Sequence, residues 1–182
     1  GESIHQSLRL ATEPVCVTVD PGQLEQVLLN LVINAKEAMP NGGSLQIETG
    51  VVQLSPEYAT QHIGIEPGEY GMLAVTDTGT GITPEVRARI FEPFFTTKAD
   101  QGGTGLGLST VIGIVTQSGG HIAVESEPGD GTTMKVYFPL VVEAPTPPEP
   151  RPDVAADTGS GTILLVEDEE LLRSLVTRIF TR

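Results

Sequence analysis

Apolar side chains between Gln23 and Met39 recur at helical spacing. At about 100° per residue, Leu24, Val27, Leu28, Leu31, Ala35, Ala38 and Met39 share one arc. Asp20 suits the capping position, Pro21 the first turn, and Pro40-Asn41-Gly42-Gly43 a stop. Ile4 to Leu10 and Val15 to Val19 instead alternate apolar with polar, which predicts two short half-buried strands before the helix. Ser44 to Leu54 reads as a strand, Gly68 to Thr76 as a more buried one, and Ser55 to Pro67 as a loop or short helical insert. A short helix is expected from Thr83-Pro84-Glu85 to about Ile90, and a second apolar helix over Ser109 to Gln117. Two final strands, His121 to Glu125 and Thr132 to Phe138, flank the turn Pro128-Gly129-Asp130-Gly131.

Three polar groups interrupt this pattern where a plain amphipathic chain would not place them. Asn30, Asn34 and Glu37 line up at i, i+4 and i+7 beside the apolar arc of the first helix, and the two carboxamides flank the core. A carboxamide offers a neutral oxygen ligand and paired donors. Asp77-Thr78-Gly79-Thr80-Gly81-Ile82 falls where a strand ends. It reads either as an ordinary Asp-Gly turn or as a rigid carboxylate beside backbone that a flat ligand can approach closely. A carboxylate only accepts, so its natural partner is an exposed N–H such as an exocyclic amino group. Gly103-Thr104-Gly105-Leu106-Gly107-Leu108 runs straight into the second helix, and glycines there leave orphan N–H groups that suit phosphate. The pattern is neither the Rossmann fingerprint nor a P-loop. Phe91 to Thr104 is polar and glycine-rich after two adjacent phenylalanines, which predicts a flap anchored by Phe94 or Phe95.

Composition narrows the partners. The 182 residues carry 24 acidic and 10 basic side chains, a net charge of −14. Such a balance argues against nucleic acid or an anionic membrane surface as a partner. The longest apolar runs are strand-sized, and there is no secretory leader, so a cytoplasmic location is the expectation. Cys16 is the single cysteine, which excludes a disulfide framework and a thiolate metal cage, and a small buried hydrophobe is its expected role. From residue 141 the composition changes, with five prolines between Pro145 and Pro152. Residues 141–160 read as a semi-rigid linker. Residues 161–182 read as one strand, the acids Glu167 to Glu170 and one helix, too little to bury its own apolar faces.

The asparagine helix, the DTGTGI turn, the FEPFFTTK flap and the GTGLGL helix start, in this order, resemble the ATP-binding catalytic domain of sensor histidine kinases. The run NLVINAKEAMPNGG resembles the nitrogen-regulation type. The resemblance implies an α+β fold over residues 1–140: a two-layer α/β sandwich with a mixed sheet under three helices, as in gyrase-type ATPases, the mismatch-repair ATPase and the ninety-kilodalton chaperone. It implies ATP and Mg2+ as cofactors. Asn34 matches the magnesium-binding asparagine and Asn30 its companion, where hydrolysing relatives carry a glutamate that activates water. Asparagine cannot act as that base. Glu37 stands where many kinases carry a lysine toward the phosphates. Asp77 matches the carboxylate that accepts from the adenine amino group, with Gly79, Gly81 and Ile82 forming the turn beside it and Thr132 supporting the same edge. Gly103, Thr104, Gly105, Leu106, Gly107 and Leu108 match the phosphate-side segment. Phe95, Thr97 and Lys98 belong to the lid, Lys98 placed to neutralise phosphate, while Gln101 replaces a glycine frequent in the family.

By the same resemblance, Asn30, Asn34 and Lys98 are the catalytic set. The γ-phosphoryl group would pass to a histidine on a dimerisation hairpin. No acceptor motif surrounds His5, His62 or His121, so the isolated chain is expected to bind Mg-ATP without labelling itself. The tail ILLVEDEELLRSLV resembles the opening of a response-regulator receiver domain, with Glu167 and Asp168 as the magnesium-holding acids, so the parent is expected to be a hybrid kinase cut before its hairpin and within its receiver. The rival reading is a nucleotide-binding signalling module without phosphotransfer, and a hydrolase is the third.

Overall fold

The computed structural model describes residues 3–61, 65–98 and 103–141. The elements in order are β1 (Ile4–Arg9), α1 (Pro21–Ala38), β2 (Gly43–Leu54), α2 (Pro56–Gln61), β3 (Gly68–Asp77), α3 (Pro84–Arg87), α4 (Gly107–Gln117), β4 (His121–Glu127) and β5 (Gly131–Pro139). The strands form one sheet in the order β1-β2-β3-β5-β4. β1 runs parallel to β2 and the remaining neighbours are antiparallel, so the sheet is mixed.

The period of two along the strands divides the sheet into two faces. Leu45 of β2, Val75 of β3, Ile122 of β4 and Met134, Val136 and Phe138 of β5 point to one face. There they meet Val27, Leu31 and Ala35 of α1 and Val111, Ile114 and Val115 of α4. Val86 of the one-turn α3 packs against the same cluster, which makes three helices on this face. The opposite face carries a smaller cluster of Leu54, Ile65, Tyr70 and Tyr137, covered by Tyr58 of α2. This is the expected α+β sandwich, with a helical insert where a loop or short helix was expected.

Local signals explain the boundaries of α1. The Asp20 carboxylate accepts from the Gln23 N–H at 2.9 Å, Pro21 occupies the first turn, and the Met39 N–H closes the last turn on the Lys36 carbonyl. The segment Val15 to Val19 departs from expectation, because it is not a strand. Its ladder is the isolated bridge of Val17 with Leu140, beside a bond from the Val141 N–H to the Cys16 carbonyl. Prolines at 14 and 21 bracket it, and it lies as a strap over Gly71, where any Cβ would stand 2.7 Å from the methyls of Val15 and Val17. A strap with one side down alternates as a strand does. Cys16 is accordingly half-buried rather than part of the core. The helix expected to reach Ile90 keeps regular geometry only to Arg87 and continues as turns. Gln101, His62 and, beyond Val141, everything expected of the linker and tail, Glu167 and Asp168 included, lie outside the described residues.

Candidate functional site

A cavity of about 480 Å³ opens between α1, the turn after β3, α3 and the segment leading into α4. α1 supplies Asn30, Asn34 and Glu37 to its wall, as the i, i+4, i+7 spacing requires. The Asn30 amide donates to the Gly107 carbonyl at 3.3 Å and so ties α1 to the first residue of α4. The Asn34 Nδ2 is buried and has no hydrogen-bond partner. A buried polar atom in that condition costs free energy until something satisfies it.

Asp77 ends β3 and is 6% exposed. One of its oxygens accepts from the Gly79 N–H at 2.8 Å. Burial pushes its carboxyl pKa up, and the N–H groups of Gly79 and Thr132 and the charge of Lys98 only partly oppose this. Thr132 of β5 stands directly opposite in the register and is equally buried. The two line a smaller cavity of about 50 Å³ whose wall includes Asn34 and Ala38. Those two residues also line the larger cavity, so the asparagine helix is the partition common to both.

The turn after Asp77 is held from three sides. Gly79 packs so closely on α1 that a Cβ would meet the Ala38 carbonyl oxygen at 2.5 Å. Gly81 has φ +68°, and a side chain there would collide with the Glu127 carbonyl. The Ile82 N–H donates to the Ser126 hydroxyl at 2.8 Å, and that hydroxyl also contacts the Gly131 carbonyl and the Thr132 hydroxyl, each at 2.9 Å. Ser126 was not anticipated from the sequence. Its signal was a polar residue on the phase of β4 whose other members, Ile122 and Val124, face the core.

α3, capped by the Thr83 hydroxyl, leads into the lid. Of the two phenylalanines, Phe95 is the anchor: it packs against the core, with the Arg89 guanidinium 4.4 Å from its ring centre. Phe94 is 75% exposed, with φ +66°, and its N–H donates to the Gly105 carbonyl at 3.0 Å. Gly105 is itself left-handed and touches the Phe94 backbone, so the two ends of the lid meet there. The Lys98 ammonium, anticipated to neutralise phosphate from the lid, is 2.8 Å from the Glu37 carboxylate. No side chain caps the start of α4, which leaves its first N–H groups open.

The larger cavity therefore collects Asn30, Asn34, Gly81, Ile82, Phe95, Thr97, Lys98, Gly103, Thr104, Gly105, Gly107 and Leu108 from the anticipated set. Asp77 and Thr132 face the smaller one. Gly79 is wedged behind the Asp77 turn, and Leu106 is 41% exposed at the head of α4. Ile33 also lines the larger cavity and was not anticipated; Thr80 and Thr96 line it too, marked in the sequence only as members of the DTGTGI turn and the flap. Thr83, Val86 and Ile90 do as well, residues the sequence marked only as parts of the short helix.

Residues 19–142 match the family described as histidine kinase-, DNA gyrase B- and HSP90-like ATPase. The chain belongs to that family. The sensor kinase CckA of Brucella abortus is 44% identical to it over 165 residues, 86% of this chain and 18% of that protein. The sensor histidine kinase ZraS of Salmonella typhimurium is 39% identical over 125 residues, 69% of this chain and 23% of that protein. The chain thus spans about a fifth of the length of the curated relatives it matches. Among solved structures, full-length ShkA in complex with AMPPNP covers 78% of this chain, with 28% identity and a TM-score of 0.60, the match taking in 26% of ShkA. The nucleotide-free catalytic domain of histidine kinase ThkA covers 75%, with 29% identity and a TM-score of 0.56, over 78% of that chain. The fold is that of a histidine kinase ATPase-family domain, and such a domain binds nucleotide. No helix among the described residues is long and apolar enough to cross a membrane.

Proposed function

We propose that this chain is the catalytic domain of a cytoplasmic hybrid sensor histidine kinase of the nitrogen-regulation type. It holds Mg-ATP and presents the γ-phosphoryl group to a histidine on the parent's dimerisation hairpin. The observation that carries the reading is the half-buried Asn34 carboxamide, whose Nδ2 is buried without a partner on the partition between the two cavities.

The residues divide the nucleotide between them. Asp77, with Thr132 beside it, accepts from the adenine amino group in the smaller cavity, and the turn through Gly79, Gly81 and Ile82 lies along the base. The triphosphate extends toward the open N–H groups at the start of α4 and the Gly103 to Gly107 segment. Asn34 fits magnesium: it offers a neutral oxygen, its amide group has an atom lacking a partner, and which end faces the cavity is set by a rotation of the amide. The ion supplies charge neutralisation to the phosphates when bound. Among the described residues no cluster of three or more His, Cys, Asp or Glu could hold a metal alone. That agrees with an ion carried mainly by phosphate.

The transfer breaks the bond between the γ-phosphorus and the β,γ-bridging oxygen and forms one from phosphorus to a histidine ring nitrogen, with ADP leaving. Little covalent work falls to the protein, so alignment and charge stabilisation carry the rate. Asn30, engaged with Gly107, lacks any group that could take a proton from water. Bound ATP is thereby kept for the histidine rather than spent on hydrolysis.

The tail is where the hybrid reading rests. A match to CckA over 86% of the chain cannot fit within residues 1–142, so it runs past the ATPase domain at least into the stretch read as a linker. The experiment is incubation of the pure chain with radiolabelled ATP, alone and with the separately purified hairpin of the parent protein. Acid-labile label on the hairpin, and none on the chain alone, is expected. Nucleotide binding without transfer would make the domain a signalling module, and steady-state phosphate release from the chain alone would make it a hydrolase.

A further inference from the structure

Among the described residues lining the larger cavity, Lys98 is the one cation and Glu37 the one carboxylate, and they are paired at 2.8 Å. The pair leaves the cavity's single positive charge compensated. Glu37 also stands in the last turn of α1, where the helix dipole disfavours an anion and where the neighbouring Lys36 is the residue expected. A carboxylate that breaks a local rule needs a compensating contact, and Lys98 supplies it across 61 residues of chain.

The backbone around Lys98 is already tied. Its N–H donates to the Thr96 hydroxyl and its carbonyl accepts from the Gly103 N–H, each at 3.0 Å. Exchange of partner therefore requires only the lysine side chain to swing, with the neck of the lid in place. The side chains of Lys98 and Glu37 are 31% and 49% exposed, so water screens the pair and keeps it weak enough to exchange.

We propose that Glu37 tunes nucleotide affinity by competing with the triphosphate for Lys98. The ion pair between α1 and the lid is a latch that a triphosphate opens and that a nucleoside, lacking phosphate, leaves shut. The inference rests on the reading that ATP occupies this site. Glu37 acts through Lys98 and is a positioning residue, not a catalytic one.

Calorimetric titration of the full chain with Mg-AMPPNP and with adenosine, for wild type, Glu37→Gln, Lys98→Gln and the double variant, tests it. Glu37→Gln should bind Mg-AMPPNP about two- to fivefold more tightly, the range of an exposed ion pair, with adenosine affinity unchanged. Lys98→Gln should weaken Mg-AMPPNP binding, and adding Glu37→Gln to it should change nothing further. A gain that persists in the Lys98→Gln background would mean simple repulsion of phosphate by Glu37 and would overturn the latch. An equal change for adenosine would reduce Glu37 to a structural role, and weaker, magnesium-insensitive binding in Glu37→Gln would make it a metal ligand. Either result also overturns the latch. A wild-type chain that binds neither ligand would remove the ATP reading itself, whereas one that binds both but ignores Glu37→Gln removes only the latch.

Discussion

Asp77→Asn separates the carboxylate's charge from its shape, and the structure sets what should follow. One Asp77 oxygen is committed to the Gly79 N–H at 2.8 Å, and the Thr132 N–H also favours the carboxylate. The remaining acceptor capacity faces the small cavity shared with Asn34 and Thr132. In the variant the amide oxygen keeps the Gly79 contact, so the new NH2 group meets the adenine amino group donor to donor. Loss of a hydrogen bond to a charged acceptor costs about 1.5–3 kcal/mol, or roughly 10- to 150-fold in affinity. An inosine nucleotide presents a carbonyl oxygen at that position and should accept from the new amide. Titration with Mg-ATP and Mg-ITP should therefore show the base preference inverted.

The same substitution should stabilise the empty protein near neutrality. Burial raises the Asp77 pKa in the fold, so the native state holds that proton more tightly than the unfolded chain does. The stabilisation linked to this proton is fully present below the unfolded carboxylate value of about 3.9 and is lost as pH rises through the raised folded value. At pH 7 the ionised, desolvated carboxylate is then a net cost that Asn removes, and the unfolding midpoint should rise there but not at pH 3. Adenosine binding by wild type should fall as the carboxyl protonates, beginning above the usual carboxylate range, while Asp77→Asn stays flat. A variant that keeps the ATP preference would refute the assignment of Asp77 to the base, and one that melts lower at pH 7 would refute the burial cost of its charge.

Three further substitutions address the remaining walls of the site. Asn34→Ala should bring ATP affinity in magnesium down to its value without magnesium. It should move stability by less than ~1 kcal/mol, because no hydrogen bond of its Nδ2 is lost; titration with and without the ion, beside a urea melt, checks both. Gly81→Ala forces a side chain into a left-handed position against the Glu127 carbonyl, and urea denaturation should show a loss of about 1–3 kcal/mol. Ser126→Ala leaves the Ile82 N–H without its acceptor and should cost about 1–3 kcal/mol, together with weaker adenosine binding, since the same hydroxyl orders Thr132.

What the chain disclosed in advance, and what it withheld, follows from how far apart the deciding groups lie. The start of α1 was legible because Asp20 and Gln23 are three residues apart and the cap is a local contact. Asn30, Asn34 and Glu37 were legible as a ridge for the same reason, since helical spacing alone aligns them. The strap at Val15 to Val19 was misread because alternation reports only that one side is buried. Whether that side belongs to a ladder depends on Gly71 and Leu140, far along the chain. The choice between Phe94 and Phe95 was open for a similar reason, being decided by the Phe94 N–H meeting Gly105. Lys98 is the instructive case. Its sequence position announced a cation placed to neutralise phosphate, yet an ammonium so placed is attracted to any nearby carboxylate, and α1 offers one at Glu37. Occupancy of a charged group thus depends on its competitor as much as on its address, and a ligand must first displace that competitor to use the charge.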